Sequence, residues 1–257
     1  MKLIAHLFLL AALLCSPVAH AEKITIAAAS DLKFALDEIV SSFRKANPGD
    51  EIEVVYGSSG KLQTQIQQGA PYDLYFAADI AYARSLQQAG FAESAPETHA
   101  FGRIVLWSAT LDARQLTLEN LTDPTITRIA IANPRHAPYG KRAMEALQAA
   151  GVWEKIQSKL IYGENIAHTA QFVQTGNAQV GIIALALVLN PELAGKGGYW
   201  LIPEKLHAPL EQGFIITRRA AGNALARRFA AYMHDQATRS VMRRYGFLLP
   251  GETANNK

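Results

Sequence analysis

At residues 56–62 the chain reads Tyr56-Gly57-Ser58-Ser59-Gly60-Lys61-Leu62, and this segment connects a predicted strand to a predicted helix. Residues 51–55 before it are rich in β-branched side chains, which is typical of a strand, and Leu62 and Ile66 have helical spacing. The first N–H groups of such a helix lack intrahelical acceptors and carry a partial positive charge. We therefore predict that this turn of glycines and serines can bind an anion.

Strands and helices alternate on both sides of this segment. Three strand–helix pairs are predicted between residues 23 and 90, and the alternation resumes near residue 128. Parallel strands need helical crossovers, so the pattern predicts an α/β fold with two mostly parallel sheets flanked by helices. Because no long linker occurs, we predict two lobes joined by the strands at 103–108 and 213–217. The predicted first lobe comprises residues 22–104 and 214–257, with the C-terminal helices packed on it, and the second comprises residues 105–213.

The N-terminus has the composition of a secretory signal peptide. Lys2 is followed by an apolar run over residues 3–14 and by Ala19-His20-Ala21, a pattern that predicts cleavage after residue 21. The apolar run is too short to span a bilayer comfortably. Cys15 is the only cysteine of the chain, and Leu14 stands where a lipoprotein signal needs a small residue. The pattern therefore favours a cleaved signal peptide over a lipid anchor on Cys15.

The composition argues against several classes of protein. A hydrophobic fraction of 49% and a charged fraction of 18% are typical of a globular core. Removing Lys2 with the signal peptide lowers the formal net charge from +3 to +2, which leaves no broad positive surface for nucleic acid. No second apolar stretch reaches transmembrane length. Without Cys15 the mature chain has neither a thiolate metal ligand nor a disulfide.

Four predicted helix starts carry residues that suit an anion. They follow successive strands and contain Ser30, Ser58 with Ser59, Tyr139, and Ile166. Ligands of open α/β sheets bind at the carboxyl ends of the strands, so these starts are expected to face one cleft. Each has a simpler interpretation alone, since Ser30 and Asn165 are ordinary N-cap residues and residues 58–60 an ordinary turn. Their joint occurrence favours a binding site.

Two catalytic motifs that the turn superficially resembles are absent. Lys61 replaces the last glycine of a nucleophile elbow, and Leu62 replaces the Ser or Thr of a P-loop. His136 lies in a predicted site loop, and we interpret it as structural. Asp31 and Glu164 are interpreted as first-turn acids that complement helix dipoles and point away from the cleft. We predict no enzymatic activity and no direct metal ligand.

Eight segments resemble one protein family, and they extend over nearly all of the chain after residue 21. They read ITIAAAS at 24–30, GSSGKL at 57–62, QIQQGAP at 65–71, DLYFAAD at 73–79, NPRHAPYG at 133–140, GENI at 163–166, VGIIA at 180–184 and RYGF at 244–247. In these segments the chain resembles the periplasmic molybdate-binding proteins, the solute-binding components of ABC-type molybdate importers. The resemblance implies a type II periplasmic-binding-protein fold, in which two α/β lobes hold the ligand in the cleft between them.

The resemblance also implies which residues bind the oxyanion. Carried over by position, they are Ser30, Ser59, Tyr139 and Ile166, with Ser58 and Ala184 as weaker candidates. The serines would offer hydroxyl and backbone donors, and Tyr139 and Ile166 would offer backbone N–H groups. Many family members have a tyrosine donor where this chain has Ala184, and a subgroup without it has tyrosine at the position of Tyr139. The family uses no charged side chain, metal ligand or cofactor for binding.

We therefore expect a periplasmic, monomeric protein that captures molybdate or tungstate and delivers it to the permease of an ABC transporter. It is expected to bind no nucleic acid and not to be embedded in the membrane. Three alternatives stay open. One is a binding protein for sulfate or phosphate, which also offer four similar oxygens. The others are an exported sensor for a membrane receptor and a secreted hydrolase with Ser30 or Ser59 as its nucleophile.

Overall fold

The computed structural model describes residues 22–252. The predicted signal peptide, which includes Cys15, and residues 253–257 lie outside this range. Within it, no helix combines the length and the hydropathy that a membrane span requires.

The strands of the described chain form two five-stranded sheets. The first sheet has the order β2-β1-β3-β10-β4 and contains β1 (Lys23–Ala29), β2 (Glu51–Gly57), β3 (Leu74–Ala77), β4 (Glu97–Gly102) and β10 (Leu210–Ile216). The second has the order β7-β6-β8-β5-β9 and contains β5 (Ile104–Ser108), β6 (Ile129–Ala132), β7 (Leu160–Gly163), β8 (Val180–Ala184) and β9 (Gly198–Leu201). Two sheets flanked by helices confirm the predicted two-lobed α/β fold.

Helices cover both sheets. The α-helices of the described range are α1 (Lys33–Ala46), α2 (Ser59–Gln67), α3 (Ile80–Gln88), α4 (Pro138–Ala149), α5 (Trp153–Ile156), α6 (Ile166–Gln174), α7 (Leu185–Val188), α8 (Ala224–Tyr232) and α9 (Gln236–Arg244). A short 3₁₀ turn, Ser30–Leu32, follows β1 and precedes α1. Helix α1 shows why these segments are helical, because Leu36, Ile39 and Phe43 recur at helical spacing and are all buried on one face.

Each sheet combines parallel and antiparallel pairs. In the first sheet, β1 is parallel to β2 and β3, whereas β10 is antiparallel to β3 and β4. In the second, β6 is parallel to β7 and β8, whereas β5 is antiparallel to β8 and β9. The sheets contain more antiparallel strand pairs than predicted. The reason is that β5 and β10, the first strands after the chain passes into the other sheet, are antiparallel to their neighbours.

The chain passes between the sheets twice. Arg103 separates β4 from β5, and residues 202–209 separate β9 from β10. Leu210 already pairs with Gly102 in the first sheet, so the second crossing precedes the predicted boundary between residues 213 and 214. The sequence did not reveal this earlier entry because the partner strand of residues 210–213 is β4, which was not predicted. The division of the whole chain into lobes by residue number stays a prediction.

Strands β4 and β9 are absent from the sequence-based assignment. Their sequences, ETHAFG and GYWL, show no strict alternation of polar and apolar side chains. Both lie at the edge of a sheet, and each pairs with a strand that is distant in sequence, β10 or β5. Their extended conformation therefore depends on tertiary pairing more than on local pattern.

Each lobe has its own apolar core. In the first lobe, Leu36 of α1, Phe229 of α8 and Met242 of α9 are buried in one cluster with Ile24 of β1. The C-terminal helices thus pack on the first sheet, as predicted. In the second lobe, Trp107 and other side chains of β5 and β6 are buried against α4.

Strand register brings the candidate helix starts together. Ala29 at the end of β1 pairs with Gly57 at the end of β2, so the segments that begin at Ser30 and Ser58 leave the first sheet side by side. Ala132 at the end of β6 likewise pairs with Gly163 at the end of β7 in the second sheet. The loops that carry the anion-suited residues therefore start at common sheet edges.

Candidate functional site

A small cavity lies where helix starts of the two lobes meet. The cavity has an empty volume of about 180 Å³ and is partly open to solvent. Most of this volume is too narrow for a water molecule, which could place its centre in only about 10 Å³. That is room for one small ligand and no more. The first lobe lines it with Ser30, Asp31, Ser58 and Ser59 beside the small residues Ala29, Gly57 and Ala78, and the second lobe with Ala137, Pro138, Tyr139 and Ile166.

Ser59 begins α2 and presents a hydroxyl group whose hydrogen is not used. The side chain is completely buried, and its Oγ accepts the backbone N–H of Ala78 at 3.0 Å. The hydroxyl of Tyr75 donates to the carbonyl oxygen of Ser59 at 2.8 Å and holds the turn in place. Within residues 22–252 the Ser59 hydroxyl has no acceptor, so it can donate to a ligand in the cavity.

Ser30 lies on the same wall but its hydroxyl is engaged across the cleft. It donates to Oδ1 of Asn165 at 3.1 Å and accepts the backbone N–H of Ala167 at 3.2 Å. Both partners belong to the start of α6, where the Asn165 side chain also caps the helix by accepting the N–H of His168 at 2.9 Å. Asn165 is therefore an N-cap, which is the simpler interpretation of its sequence position. Ser30 forms hydrogen bonds between the two lobes.

Three backbone N–H groups at helix starts remain free for an anion. Ser59 and Ile166 are the first residues of α2 and α6, and Tyr139 is the second residue of α4. First-turn N–H groups have no intrahelical acceptor. No hydrogen bond joins these three groups to a side chain or to another element of residues 22–252. The positive ends of three helices from both lobes thus converge on one cavity.

Gly140 allows the start of α4 to approach the end of β6 closely. A Cβ atom at this position would lie 2.0 Å from the carbonyl oxygen of Ala132. Any other residue would push α4 away from the sheet and would move the N–H group of the preceding Tyr139. Gly140 therefore determines how close the start of α4, with the N–H group of Tyr139, lies to the end of β6.

The cavity wall carries no basic side chain, and the nearby cations have acidic partners. Arg142 of α4 forms ion pairs of 3.0 Å with Asp79 and Glu145. Lys61 of α2 pairs with Glu164 at 2.9 Å on the exposed rim of the cleft. Both Asp79 and Lys61 belong to the first lobe, so each pair also bridges the lobes. No cluster of three or more potential metal-binding side chains occurs among the described residues.

Asp31 contradicts the prediction that its side chain points away from the cleft. It lines the cavity and is only 1% exposed. Its Oδ2 accepts the hydroxyl of Tyr139 at 3.0 Å and the side-chain amide of Gln212 at 2.6 Å. Burial raises the pKa of Asp31 to about 6, against the lowering effect of these hydrogen bonds. No motif in the sequence marks Gln212 as a site residue, whereas the position of Asp31 directly after Ser30 could have indicated its place in the wall.

Tyr139 contributes its hydroxyl to the lobe interface. Burial and the neighbouring Asp31 raise its pKa well above the ordinary value, so the hydroxyl remains a donor at neutral pH. Because that donor is directed to Asp31, Tyr139 offers the cavity its backbone N–H group. Ala184, the sixth candidate, is buried at the end of β8 and is not among the residues that line the cavity. Its methyl group has no hydrogen to donate.

Ser58 and His136 form the edge of the site. The Ser58 hydroxyl and Nδ1 of His136 are 2.9 Å apart, and the N–H of Gly60 donates to the His136 carbonyl oxygen at 2.9 Å. Burial and, secondarily, Lys61 lower the pKa of His136, which favours the neutral ring. These contacts join the lobes and fit the structural interpretation of His136. They also engage the Ser58 hydroxyl outside the cavity.

A larger groove lies elsewhere, along α1 and the edge strand β2. Its empty volume is about 1390 Å³, against about 180 Å³ for the cavity, but it is broad and open. Two of its charged groups, Lys33 and Asp37, already form an ion pair of 3.1 Å. We therefore assign the small cavity, with its unpaired donors from both lobes, as the candidate site.

The chain is similar to bacterial solute-binding proteins along most of its length. Residues 24–248 match the family model of bacterial extracellular solute-binding proteins. The molybdate-binding protein ModA of Rhodobacter capsulatus is 33% identical over 239 residues, which make up 91% of this chain and 91% of that protein. ModA of Azotobacter vinelandii is 32% identical over 233 residues, 89% of this chain and 91% of that protein.

A solved structure has the same fold. The periplasmic molybdate-binding protein of Azotobacter vinelandii matches with a TM-score of 0.84 at 28% sequence identity. The match covers 88% of this chain and 99% of the other. The similarity therefore includes both lobes and the segments that line the cavity.

Proposed function

The chain belongs to the bacterial extracellular solute-binding proteins, and from this premise we propose that it captures molybdate outside the cytoplasm and delivers it to the permease of an ABC transporter. The two curated relatives and the solved structure carry molybdate binding in their names. Their near full-length similarity to this chain supports the same ligand class here.

The observation that carries the proposal is the set of free donors around one small cavity between the lobes. The Ser59 hydroxyl and the N–H groups of Ser59, Tyr139 and Ile166 have no acceptor within residues 22–252. A tetrahedral dianion offers several oxygens to such donors, and three helix dipoles offset its charge without a basic side chain. A neutral ligand would gain nothing from the converging dipoles.

We propose specific roles for the candidate residues. Ser59 donates through its hydroxyl and its backbone, and Tyr139 and Ile166 donate backbone N–H groups from the second lobe. Ser30 lines the cavity and holds the start of α6, and its hydroxyl donates to the ion when its hydrogen leaves Asn165. We propose Ser58 as a residue that contacts the ion only because it lines the cavity wall. We propose no contact between Ala184 and the ion.

Calorimetric titration of the mature protein, residues 22–257, with molybdate tests this function. We expect a single tight site, with tungstate as a second ligand because its oxyanion has the same shape and charge. Competition by sulfate and phosphate tests the two alternative oxyanions. Absence of binding by molybdate and tungstate, with saturable binding of sulfate or phosphate, would contradict the molybdate assignment and leave an oxyanion carrier.

The hydrolase alternative has less support than the binding function. It required a histidine beside Ser30 or Ser59, and His136 instead lies next to Ser58. The Ser30 hydroxyl donates to Asn165 and the Ser59 hydroxyl faces the cavity without a base. We therefore propose that the protein binds without turnover, which assays with generic ester and phosphoester substrates would check.

The remaining parts of the proposal concern the cell. We propose a periplasmic, monomeric protein whose residues 1–21 are removed on export. Mass spectrometry of the protein from the periplasmic fraction would show whether the mature chain begins at Glu22, and light scattering would give its oligomeric state. An interaction assay with the permease distinguishes a transport component from an exported sensor.

A further inference from the structure

Asp31 is a buried carboxyl group in the wall of a cavity that suits a dianion. Its side chain accepts hydrogen bonds at Oδ2 from Tyr139 and Gln212, whereas no group of residues 22–252 makes a hydrogen bond to Oδ1. The backbone N–H groups of Asp31 and Leu32 also lower the pKa of this carboxyl group, by less than burial raises it. A carboxylate and a dianion in one small cavity repel each other and compete for the same donors. The proposed function does not explain why an acid occupies this position.

Among the described residues, no basic side chain forms a hydrogen bond or an ion pair with Asp31. The elements around Asp31 carry the following titratable and charged groups: Tyr139, Lys141, Arg142 and Glu145 of α4, Glu164 and His168 at the start of α6, Lys33, Asp37, Glu38, Arg44 and Lys45 of α1, Glu97 and His99 of β4, and Glu211 of β10. Helix α7 has none. Arg142 is paired with Asp79 and Glu145, and Lys33 with Asp37. Burial lowers the pKa of His99 to about 3, so this ring behind Gln212 is neutral.

The environment of Asp31 depends on closure of the lobes. Asp31 and Gln212 belong to elements of the first lobe, whereas Tyr139 belongs to the second. When the lobes separate, Asp31 loses the Tyr139 hydroxyl and gains water, so its pKa returns towards the ordinary value of about 3.9. In the closed protein, burial raises this pKa to about 6, and a dianion in the cavity raises it further.

We propose that Asp31 takes up one proton from solvent when the lobes close around a fully ionised oxyanion, and that this residue thereby sets the pH range over which the ion is held. The proton forms an O–H bond at Oδ1, the oxygen without a partner, while Oδ2 keeps its two hydrogen bonds. The neutral carboxyl group removes the repulsion and adds a donor to the cavity. This inference rests on the proposed oxyanion function.

The sign of the pH effect follows from the two pKa values. Below the pKa of the open state both states are protonated, and affinity does not depend on pH through Asp31. Between the pKa of the open state and that of the closed, liganded state, affinity falls by up to about tenfold per pH unit as pH rises. Above the second pKa, Asp31 is ionised in both states and affinity is constant again at a lower level.

The test is a calorimetric titration of the mature protein with micromolar molybdate at several pH values from about 5 to 8, in two buffers of different ionisation enthalpy at each pH. We expect uptake of nearly one proton per ion between about pH 5 and pH 6, above the pKa of the open state and below that of the closed, liganded state, and less uptake as pH rises further. Asp31→Asn keeps an acceptor for Tyr139 and Gln212 and places a fixed donor at the position of Oδ1. It should take up no proton through this site and show a flat affinity profile.

Asp37→Asn is the matched control, because Asp37 is a half-exposed carboxylate on α1 that hydrogen-bonds Tyr56 outside the cavity. It should behave as the wild type. Since molybdate itself takes up protons in acid, the Asp31→Asn titration also measures the contribution of the ligand alone.

The outcomes separate this inference from the proposed function. Tight binding by the wild type with no proton uptake and a flat profile overturns the inference and leaves molybdate capture intact. A pH profile that persists unchanged in Asp31→Asn also overturns it. Absence of binding at every pH contradicts both. If a thermal melt shows that Asp31→Asn does not fold, the proton uptake of the wild type, measured in the two buffers, still supports or overturns the inference.

Discussion

Ser59 and Ser30 both lie just after a parallel strand of the first sheet and both line the cavity, but their hydroxyl groups have different partners. Ser59 receives the N–H of Ala78, which belongs to the same lobe, and its own hydrogen is free. Ser30 donates to Asn165 and receives the N–H of Ala167, both in the second lobe. The bonds of Ser59 therefore exist in the open and closed protein alike, whereas those of Ser30 require closure.

The two serines are therefore expected to act at different steps, Ser59 in the first contact with the ion and Ser30 in closure of the lobes. A donor that is fixed before the ion arrives loses little entropy on binding, so Ser59 can hold the ion while the lobes are still apart. Ser30 instead contributes when the start of α6 approaches. Both serines face the same cavity, yet only one is preorganised. Substitutions at these and neighbouring residues distinguish the two roles.

Ser59→Ala should weaken molybdate binding most, by about tenfold to a hundredfold. It removes a hydrogen bond to a charged ligand, worth roughly 1.5–3 kcal/mol, and leaves the N–H of Ala78 without its acceptor. Calorimetry gives the affinity, and a thermal melt shows whether the fold persists. Ser42→Ala, an exposed serine of α1, serves as the control and should bind normally. Unchanged affinity in Ser59→Ala would contradict the assigned role.

Ile166→Pro should weaken binding by about tenfold relative to Ile166→Ala. Proline at the first position of α6 removes the N–H group with little cost to the helix. The preceding Asn165 is extended, with φ −142° and ψ 177°, which proline tolerates in its neighbour. Ile166→Ala keeps the N–H group and controls for the lost side chain. Equal affinities of the two variants would show that this backbone donor does not contact the ion.

Ser30→Ala should weaken binding less than Ser59→Ala, by about fivefold. The change removes two neutral hydrogen bonds across the cleft, whose net contribution is about 1 kcal/mol. Because these bonds form on closure, the dissociation rate should rise more than the association rate falls, which stopped-flow fluorescence would measure. A loss equal to that of Ser59→Ala would remove the distinction between capture and closure.

Lys61→Gln should change affinity by less than about threefold, and less at high salt. Its ion pair with Glu164 bridges the lobes at 2.9 Å, but both side chains are about half exposed, with fractions of 47% and 54%. Exposed pairs contribute only about 0–1 kcal/mol and are screened by salt. Glu164→Gln should have the same small effect, and the double variant should be no weaker than either. A tenfold loss would show that rim charges, rather than cavity donors, control closure.

Much of the site could be predicted from local sequence. The strand–helix connections at Ser30, Ser59, Tyr139 and Ile166 were identified because turn residues and helix periodicity are short-range signals. The structure brings all four residues to one cavity, although their contact with an ion stays a prediction. Ala184 could not be judged in this way, since a residue at a strand end reaches the cavity only if the lobes place it there.

The hydrogen bonds that give each candidate site residue its own role could not be predicted from the sequence, because their partners are distant in the chain. The partner of Asp31 at Gln212 is 181 positions away in the chain, and its partner at Tyr139 is 108 positions away. Strand β4 was missed for the same reason, because its extended conformation depends on pairing with the distant β10.

The α/β alternation and the positive helix starts are local features of the sequence, because strand periodicity, helix periodicity and the polarity of a helix N-terminus are properties of a few consecutive residues. Three other features of the site arise from tertiary contacts: the Ser59 hydroxyl has no acceptor within residues 22–252, Ser30 and Ser58 bond to the opposite lobe, and Asp31 is buried in the wall. These facts depend on which distant groups compete for each donor and on how much water closure removes, and neither is encoded in a local pattern.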